Sequence, residues 1–159
     1  MQIIEAGVIG VGWIGGLRAD TLSRTALVDK LHLCDIKPDR LAEVKALYKP
    51  ATATPDYQDI IKNERISVVY VSTTPEANHY PIARDCLRAG KNVMLEKPIA
   101  LELWEADELI HLASRNNLKF TIGYSQRFNP KVAYDGPLGR IEGADVVSLI
   151  RFYESRKGQ

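Results

Sequence analysis

Five glycines lie within ten residues near the start of the chain, in the segment GVIGVGWIGG. Glycine inside a strand or helix costs stability, because its backbone loses more conformational freedom on folding than that of other residues. Such a cluster is typical of a tight turn, or of backbone that closely approaches a ligand. The apolar segment IIEAGVI stands at the start of the cluster and predicts a strand, and the residues after it have helical character. The chain therefore begins with a predicted strand, turn and helix.

The spacing of the glycines indicates a dinucleotide-binding turn. Gly10, Gly12 and Gly15 fit the pattern G-x-G-x-x-G, and Asp35 ends the next strand 20 residues after Gly15. The first glycine permits the turn, the second lets the backbone approach a pyrophosphate, and the third allows close packing of helix on strand. Unpaired N–H groups at the helix N-terminus bind the phosphate oxygens. A glycine-rich turn without a ligand is the alternative, and it leaves the preceding strand and the carboxylate unexplained.

The position of Asp35 favours NAD over NADP. A carboxylate at the end of the second strand accepts hydrogen bonds from the ribose hydroxyls of NAD. It would repel an NADP 2′-phosphate about 4 Å away by about 4 kcal/mol per charge pair at an effective dielectric constant near 20. Lys37 and Arg40 stand close enough in sequence to soften this repulsion, but we expect both to be solvated surface charges at the start of a helix.

Apolar strand segments alternate with helical segments from the start of the chain to about Tyr124. The segment ISVVYVS lacks strict alternation of polar and apolar residues, as expected of a parallel strand covered on both faces. These observations predict an α/β fold, a Rossmann-type doubly wound parallel sheet with helices on both faces. Residues 1–124 form the predicted dinucleotide-binding domain. Residues 125–159 form a predicted junction and the start of a second, α+β domain, whose first strand is ADVVSLIRFY.

Composition excludes several classes of function. The 21 basic and 20 acidic residues nearly balance and form no basic stripe, so we expect neither a nucleic-acid partner nor a membrane partner. The N-terminus lacks the pattern of a secretion signal, which predicts a cytoplasmic protein. Cys34 and Cys86 lie in apolar segments, where we expect buried structural thiols. The pattern predicts no metal site.

Three further motifs follow the ends of predicted strands: STTPEANH, EKPIAL and GYSQRFNP. In an open α/β sheet, ligands bind beyond the carboxyl ends of the strands. Together with GVIGVGWIG and CDI, these motifs resemble the N-terminal domain of the Gfo/Idh/MocA oxidoreductase family, and they occur in the family's order. The family includes glucose-fructose oxidoreductase and inositol dehydrogenases. The resemblance covers nearly the whole chain.

The resemblance implies an NAD-dependent dehydrogenase that transfers a hydride between nicotinamide and a secondary alcohol of a sugar or polyol, or its ketone. It implies that Lys97 is catalytic, either as a base or as a hydrogen-bond donor to the substrate oxygen. Pro98 would fix the turn beside it. The residues expected to contact the cofactor are Gly10, Val11, Gly12, Trp13, Ile14, Gly15, Asp35, Ile36, Ser72, Thr73, Thr74, Pro75, Asn78, His79, Glu96, Lys97 and Arg127.

Two of these assignments have a structural alternative. His79 could instead cap or pack at the start of the following helix. Arg127 could instead form a structural ion pair. Tyr124 matches a family position near the cofactor or the domain junction, and His111 on the longest predicted helix is expected at the surface.

The resemblance implies that full-length members carry a second domain with an Asp-x-x-x-His segment, and His32, His79 and His111 all precede the position expected for it. We therefore expect the chain to bind the cofactor but to show little turnover alone, and the longer protein to be a homo-oligomer. One alternative function is a non-catalytic NAD(H)-binding sensor or regulatory module. Another is a reductase of the homoserine or dihydrodipicolinate type, which the segments EKPIAL and GYSQRFNP disfavour.

Overall fold

The structure, a computed structural model, describes residues 3–125. The predicted strand ADVVSLIRFY, Arg127 and the remainder of residues 126–159 lie outside the described residues. Within the described part, six strands form one sheet in which all neighbours are parallel, in the order β3-β2-β1-β4-β5-β6. The strands are β1 Ile4–Ile9, β2 Val28–Cys34, β3 Thr52–Thr54, β4 Ile66–Val71, β5 Asn92–Leu95 and β6 Phe120–Ile122.

Five α-helices connect the strands. They are α1 Trp13–Arg24, α2 Pro38–Tyr48, α3 Tyr57–Lys62, α4 His79–Arg88 and α5 Leu103–Arg115. A 3₁₀ turn, Glu76–Asn78, leads into α4. Local sequence explains several of these ends: Pro38 occupies the first turn of α2, the Asp56 side chain accepts from Gln58 N–H at the start of α3, and Gly90 after α4 has a φ of 76°.

The sheet separates two apolar cores, and alternate residues of one strand point to different cores. In β4, Val69 and Val71 pack into the larger core with residues of α3, α4 and α5, whereas Tyr70 packs into the smaller core with residues of α1 and α2. Helices therefore cover both faces, which confirms the predicted doubly wound sheet. The reversal of strand order at β1 and β4 opens a crevice at their carboxyl ends, where such folds bind ligands.

Candidate functional site

A cleft of about 950 Å³ opens at the carboxyl ends of the strands. The turns that follow β1, β2, β4, β5 and β6 all contribute to its wall. Of the residues predicted to contact a cofactor, thirteen line it: Gly10, Gly12, Trp13, Ile14, Asp35, Ile36, Ser72, Thr73, Thr74, Asn78, His79, Glu96 and Lys97. Sequence motifs from distant parts of the chain thus meet in one place.

Two of the three motif glycines, Gly10 and Gly15, have a steric reason within the chain to be glycine, whereas the third, Gly12, faces open space. Gly10 has a φ of +83°, and a Cβ there would press against the carbonyl oxygen of Ser72. A Cβ on Gly15 would overlap the carbonyl oxygen of Gly10, so this glycine lets α1 pack against the turn. A Cβ on Gly12 would meet no described atom within 4 Å, since that position faces open space in the cleft. This open space is the place that the sequence pattern assigns to a pyrophosphate.

The N-terminus of α1 is available to an anion. Gly12 is the N-cap residue, and no side chain caps the helix. The first carbonyl in the helical ladder is that of Gly12, which accepts from Gly16 N–H at 2.8 Å, so the N–H groups of Trp13, Ile14 and Gly15 in the first turn of α1 have no helical partner. These donors and the positive end of the helix dipole form an anion-binding site.

Asp35 is held against the glycine turn. Its Oδ2 accepts from Val11 N–H at 2.9 Å, and its Oδ1 accepts from Lys37 N–H at 2.9 Å. Both carboxylate oxygens are therefore oriented by backbone before any ligand arrives. Each oxygen retains lone pairs that can accept from a ligand hydroxyl.

Arg40 is a site residue whose contacts with the glycine turn the sequence did not reveal. Its Nε donates to the carbonyl oxygen of Val11 at 2.6 Å, and its Nη2 donates to that of Gly12 at 3.3 Å. The guanidinium also pairs with Glu43 at 2.6 Å. The expectation of a solvated surface charge is thus wrong for Arg40, because its side chain reaches from α2 to the carbonyl oxygens of the glycine turn. Lys37 is exposed, as expected.

His79 joins two turns of the cleft wall. Its Nδ1 lies 2.8 Å from the carbonyl oxygen of Pro98, and its Nε2 lies 3.0 Å from that of Thr73. The side chain is 2% exposed. His79 packs between the turns after β4 and β5 at the start of α4, as the structural alternative expects, and because it also lines the cleft, its contact with a cofactor stays a prediction. The Thr73 Oγ1 is buried without a partner among the described residues, so it has hydrogen-bonding capacity to offer at this wall.

Glu96 is the acidic residue at the opposite side of the cleft from Asp35, and it is 8% exposed. The Tyr70 hydroxyl donates to its Oε1, and the Lys97 backbone N–H donates to its Oε2 at 3.1 Å. Arg18 Nη2 lies 3.9 Å from Oε1. Burial, and then the bond to Glu96, raise the pKa of the Tyr70 phenol, so Tyr70 remains a donor over the physiological pH range. Nothing in the sequence pattern singles out Arg18 or Tyr70.

Lys97 follows Glu96 directly, and its side chain is exposed at the edge of the cleft. The ammonium group forms no ion pair with any of residues 3–125. It is therefore free to contact a molecule that enters the cleft, either as a donor or as a proton acceptor.

Four predicted contact residues do not line the cleft or are not described. The Val11 side chain is fully buried in the smaller core, and its backbone groups bond to Asp35 and Arg40. Gly15 is buried under the turn, in the packing role that the pattern assigned to it. Pro75 is exposed outside the cleft. Arg127 lies outside the described residues.

Other side chains agree with their expected structural roles. Cys34 and Cys86 are buried, and burial raises the pKa of each thiol to about 12, which makes both poor nucleophiles. His111 is exposed. In the described range 3–125, no group of three or more His, Cys, Asp or Glu side chains could hold a metal ion. No helix of that range is long and apolar enough to span a membrane.

The sheet order, the glycine turn and the carboxylate after β2 together define a dinucleotide-binding Rossmann domain. A sequence model of an oxidoreductase family with an NAD-binding Rossmann fold matches residues 4–124. The chain belongs to this family, the Gfo/Idh/MocA oxidoreductases, which confirms the resemblance noted in the sequence and the expectation of an NAD-binding domain.

Two curated relatives illustrate the match. An inositol 2-dehydrogenase/D-chiro-inositol 3-dehydrogenase of Lactiplantibacillus plantarum is 30% identical over 150 residues, which is 87% of this chain and 42% of the relative. A UDP-N-acetylglucosamine 3-dehydrogenase of Acidithiobacillus ferrooxidans is 31% identical over 132 residues, covering 82% of this chain and 40% of the relative. The chain thus spans about 40% of the length of these relatives.

Solved structures show the same architecture. GenD2 from gentamicin A biosynthesis, in complex with NAD, superimposes with a TM-score of 0.77 at 26% identity, covering 82% of this chain and 37% of that one. Apo scyllo-inositol dehydrogenase from Lactobacillus casei superimposes with a TM-score of 0.74 at 25% identity, covering 80% and 38%.

Proposed function

We propose that this chain binds NAD in the cleft and forms the cofactor-binding half of a dehydrogenase that acts on a sugar or polyol. The observation that carries the proposal is the glycine turn: open space beside Gly12, an uncapped N-terminus of α1, and a carboxylate already oriented at Asp35. These features fit two parts of the adenosine diphosphate moiety: Asp35 fits its ribose hydroxyls, and the open space and uncapped helix end fit its pyrophosphate.

Asp35 supports NAD rather than NADP as the preferred cofactor. An extra phosphate on the adenosine ribose would add negative charge beside a carboxylate whose two oxygens are fixed by Val11 and Lys37. Arg40 offsets only part of this repulsion, because Glu43 pairs with its guanidinium, which also donates to the Val11 and Gly12 carbonyls. Lys37 also lines the cleft, so we expect NAD to be preferred and the discrimination against NADP to be incomplete.

The substrate end of the cleft is proposed to lie at Lys97. Bound NAD supplies the hydride acceptor, and the chain supplies the group that acts on the alcohol oxygen. The exposed Lys97 ammonium can donate a hydrogen bond to that oxygen and stabilise the negative charge that develops there. In the alternative role it accepts the alcohol proton. The presence of this free cation at the cleft favours a dehydrogenase over a regulatory module, which has no need of it.

The class of substrate rests on the relatives. The substrates named for two of the relatives are inositol and UDP-N-acetylglucosamine. Both molecules carry secondary alcohols on a six-membered ring. We propose the same chemistry for the longer protein of which residues 1–124 are the dinucleotide-binding domain, with residues 125–159 as the junction to a substrate domain and a homo-oligomer as the assembled form.

Calorimetric titration of the 159-residue chain tests the proposal, with NADH, NADPH and ADP-ribose as ligands. We expect NADH to bind more tightly than NADPH, and ADP-ribose to bind as well, because it carries every group that the glycine turn and Asp35 contact. The absence of binding by all three would refute the proposed cofactor site. Tighter binding of NADPH would refute the role of Asp35.

A further inference from the structure

The carboxylate of Glu96 is held from several directions by groups that are distant in sequence. Tyr70 on β4 donates its hydroxyl proton to Oε1, and Arg18 on α1 lies 3.9 Å from the same oxygen. The Lys97 N–H donates to Oε2 at 3.1 Å. Because the side chain is 8% exposed, the charge has lost most of its water and depends on these partners.

Arg18 and Tyr70 also bind each other. Arg18 Nε donates to the Tyr70 hydroxyl oxygen at 3.3 Å, and its guanidinium carbon lies 5.6 Å from the centroid of the Tyr70 ring. Tyr70 is 4% exposed, so its hydroxyl has no access to bulk water as an alternative partner. The three side chains thus join α1, β4 and the turn after β5 through one hydrogen-bonded network.

Gly123, after β6, closes the remaining side of the carboxylate. A Cβ placed on Gly123 would lie 2.8 Å from Glu96 Oε1, closer than a carbon and an oxygen approach without a hydrogen bond. The carboxylate therefore packs directly against the Gly123 backbone, in space that a larger residue at this position would occupy. Gly123 also lines the cleft.

The network lies on one half of the cleft only. The glycine turn follows the central strand β1, Asp35 follows β2 on one side of it, and Glu96 follows β5 on the other side. A dinucleotide whose pyrophosphate lies at α1 and whose adenosine ribose meets Asp35 must extend its nicotinamide half across the ends of β4 and β5. Glu96 and Lys97 lie there, whereas no part of the adenosine half does.

We propose that Arg18 and Tyr70 are positioning residues for the nicotinamide half of the site. They fix the Glu96 carboxylate and, through its bond to the Lys97 N–H, the direction in which the Glu96–Lys97 turn faces the nicotinamide ribose and the substrate. This inference rests on the proposed function, because it assumes that a dinucleotide occupies the cleft. It assigns a role to two residues that belong to none of the sequence motifs.

A second network of the same chemistry provides a matched control. Tyr80 on α4 donates to Glu108 on α5, Arg88 pairs with Glu108 at 3.0 Å, and the Arg84 guanidinium lies 5.3 Å from the Tyr80 ring centroid. Tyr80 is 9% exposed and does not line the cleft. Tyr80→Phe therefore removes a similar tyrosine–glutamate hydrogen bond from the same fold without touching the proposed site.

The test compares NADH with ADP-ribose, which lacks the nicotinamide riboside. For Tyr70→Phe we expect the Kd of NADH to rise about tenfold, the effect of losing one hydrogen bond to a charged group, while the Kd of ADP-ribose stays within about twofold. Gly123→Ala should have the same selective effect, because it displaces the carboxylate and leaves Tyr70 in place. Tyr80→Phe should change neither Kd, and all variants are checked by thermal unfolding.

Each result decides the inference. A selective loss of NADH affinity in Tyr70→Phe or Gly123→Ala supports it. Equal losses for both ligands would assign Tyr70 a merely structural role and overturn it, as would unchanged affinities in both variants. If wild type binds ADP-ribose and NADH but the variants behave like wild type, the proposed function stands and only the positioning role falls. If wild type binds neither ligand, the proposed function fails and the inference fails with it.

Discussion

The backbone N–H of Val11 donates a hydrogen bond to Asp35 Oδ2 at 2.9 Å, although the two residues are 24 positions apart. Val11 lies inside the glycine turn, and Asp35 is the residue proposed to contact the adenosine ribose. The same carboxylate thus stabilises the turn that binds the pyrophosphate and presents acceptors to the ribose. Substitution of Asp35 must therefore affect both parts of the site.

For Asp35→Ala we expect the Kd of NADH to rise about tenfold or more, because hydrogen bonds to charged groups contribute about 1.5–3 kcal/mol and the change removes more than one. The Kd of NADPH should rise less, because the variant also removes a negative charge that repels the 2′-phosphate of NADPH. Calorimetric titration with both cofactors measures the two changes. Asp39→Ala is the control, since Asp39 is an exposed carboxylate in the first turn of α2. Equal losses for NADH and NADPH would contradict the proposed discrimination.

The glycines allow folding and binding to be separated. Gly12→Ala adds a methyl group that meets no described protein atom within 4 Å, so we expect the melting temperature to change little. The same methyl group occupies the proposed pyrophosphate position, so binding of NADH and of ADP-ribose should be lost. Gly15→Ala places its methyl group on the Gly10 carbonyl oxygen, and we expect a lower melting temperature as well as weaker binding. Intact NADH binding by Gly12→Ala would place the pyrophosphate elsewhere.

Local pattern predicted most of this fold. Alternating strand and helix segments gave the order of elements, and the predicted first strand, glycine turn and helix coincide with β1, the turn after it and α1. The motifs also predicted most of the residues that line the cleft, because each motif follows a strand and the carboxyl ends of these strands lie at the same edge of the sheet. Such information is present in short segments, because periodicity and turn residues act over a few positions.

Arg18, Tyr70 and Arg40 could not be found in this way. Arg18 and Arg40 lie on helices where a charged residue is usually solvated, and Tyr70 lies in an apolar strand segment. Their roles arise from hydrogen bonds that span 26 to 52 positions in the chain, which depend on how the helices pack on the sheet. Residues so far apart in the chain show no fixed spacing, so the sequence alone does not reveal that they form hydrogen bonds with each other.

Arg40 is expected to stabilise the glycine turn, although part of its guanidinium group is exposed. Arg40→Lys retains the charge but loses the planar fork that reaches the Val11 and Gly12 carbonyl oxygens at 2.6 and 3.3 Å. We expect the Kd of NADH to rise about three- to tenfold and the melting temperature to fall by a few degrees, corresponding to about 1 kcal/mol. Arg24→Lys is the control, because Arg24 forms only an exposed pair with Asp20 on the same helix. Equal effects of both changes would argue against a role in the turn.

Stability should depend on Glu5 at acidic pH. His32 lies 3.0 Å, Lys30 3.2 Å and Arg65 3.7 Å from its carboxylate oxygens. Burial alone would raise the pKa of Glu5, but the bonds to His32 and Lys30 and the nearby positive charges outweigh burial and hold it below the ordinary value of 4.5. A carboxylate with a depressed pKa contributes stability above its unfolded-state pKa, and that contribution is lost as the pH falls through the folded-state pKa. Glu5 is thus expected to stabilise the fold at neutral pH and to lose this contribution progressively as the pH falls below about 4.5.

Urea unfolding of wild type and Glu5→Gln at a series of pH values from about 7 to about 3 tests this expectation. The difference in unfolding free energy between the two proteins should be largest near neutrality and shrink toward pH 3, because protonated Glu5 resembles glutamine. Glu43→Gln is the control, since Glu43 is more than half exposed, with a side-chain exposure of 56%, and pairs only with Arg40. A difference that stays constant over the whole range would show that Glu5 does not titrate within it, and that its contribution to the fold comes from packing rather than charge.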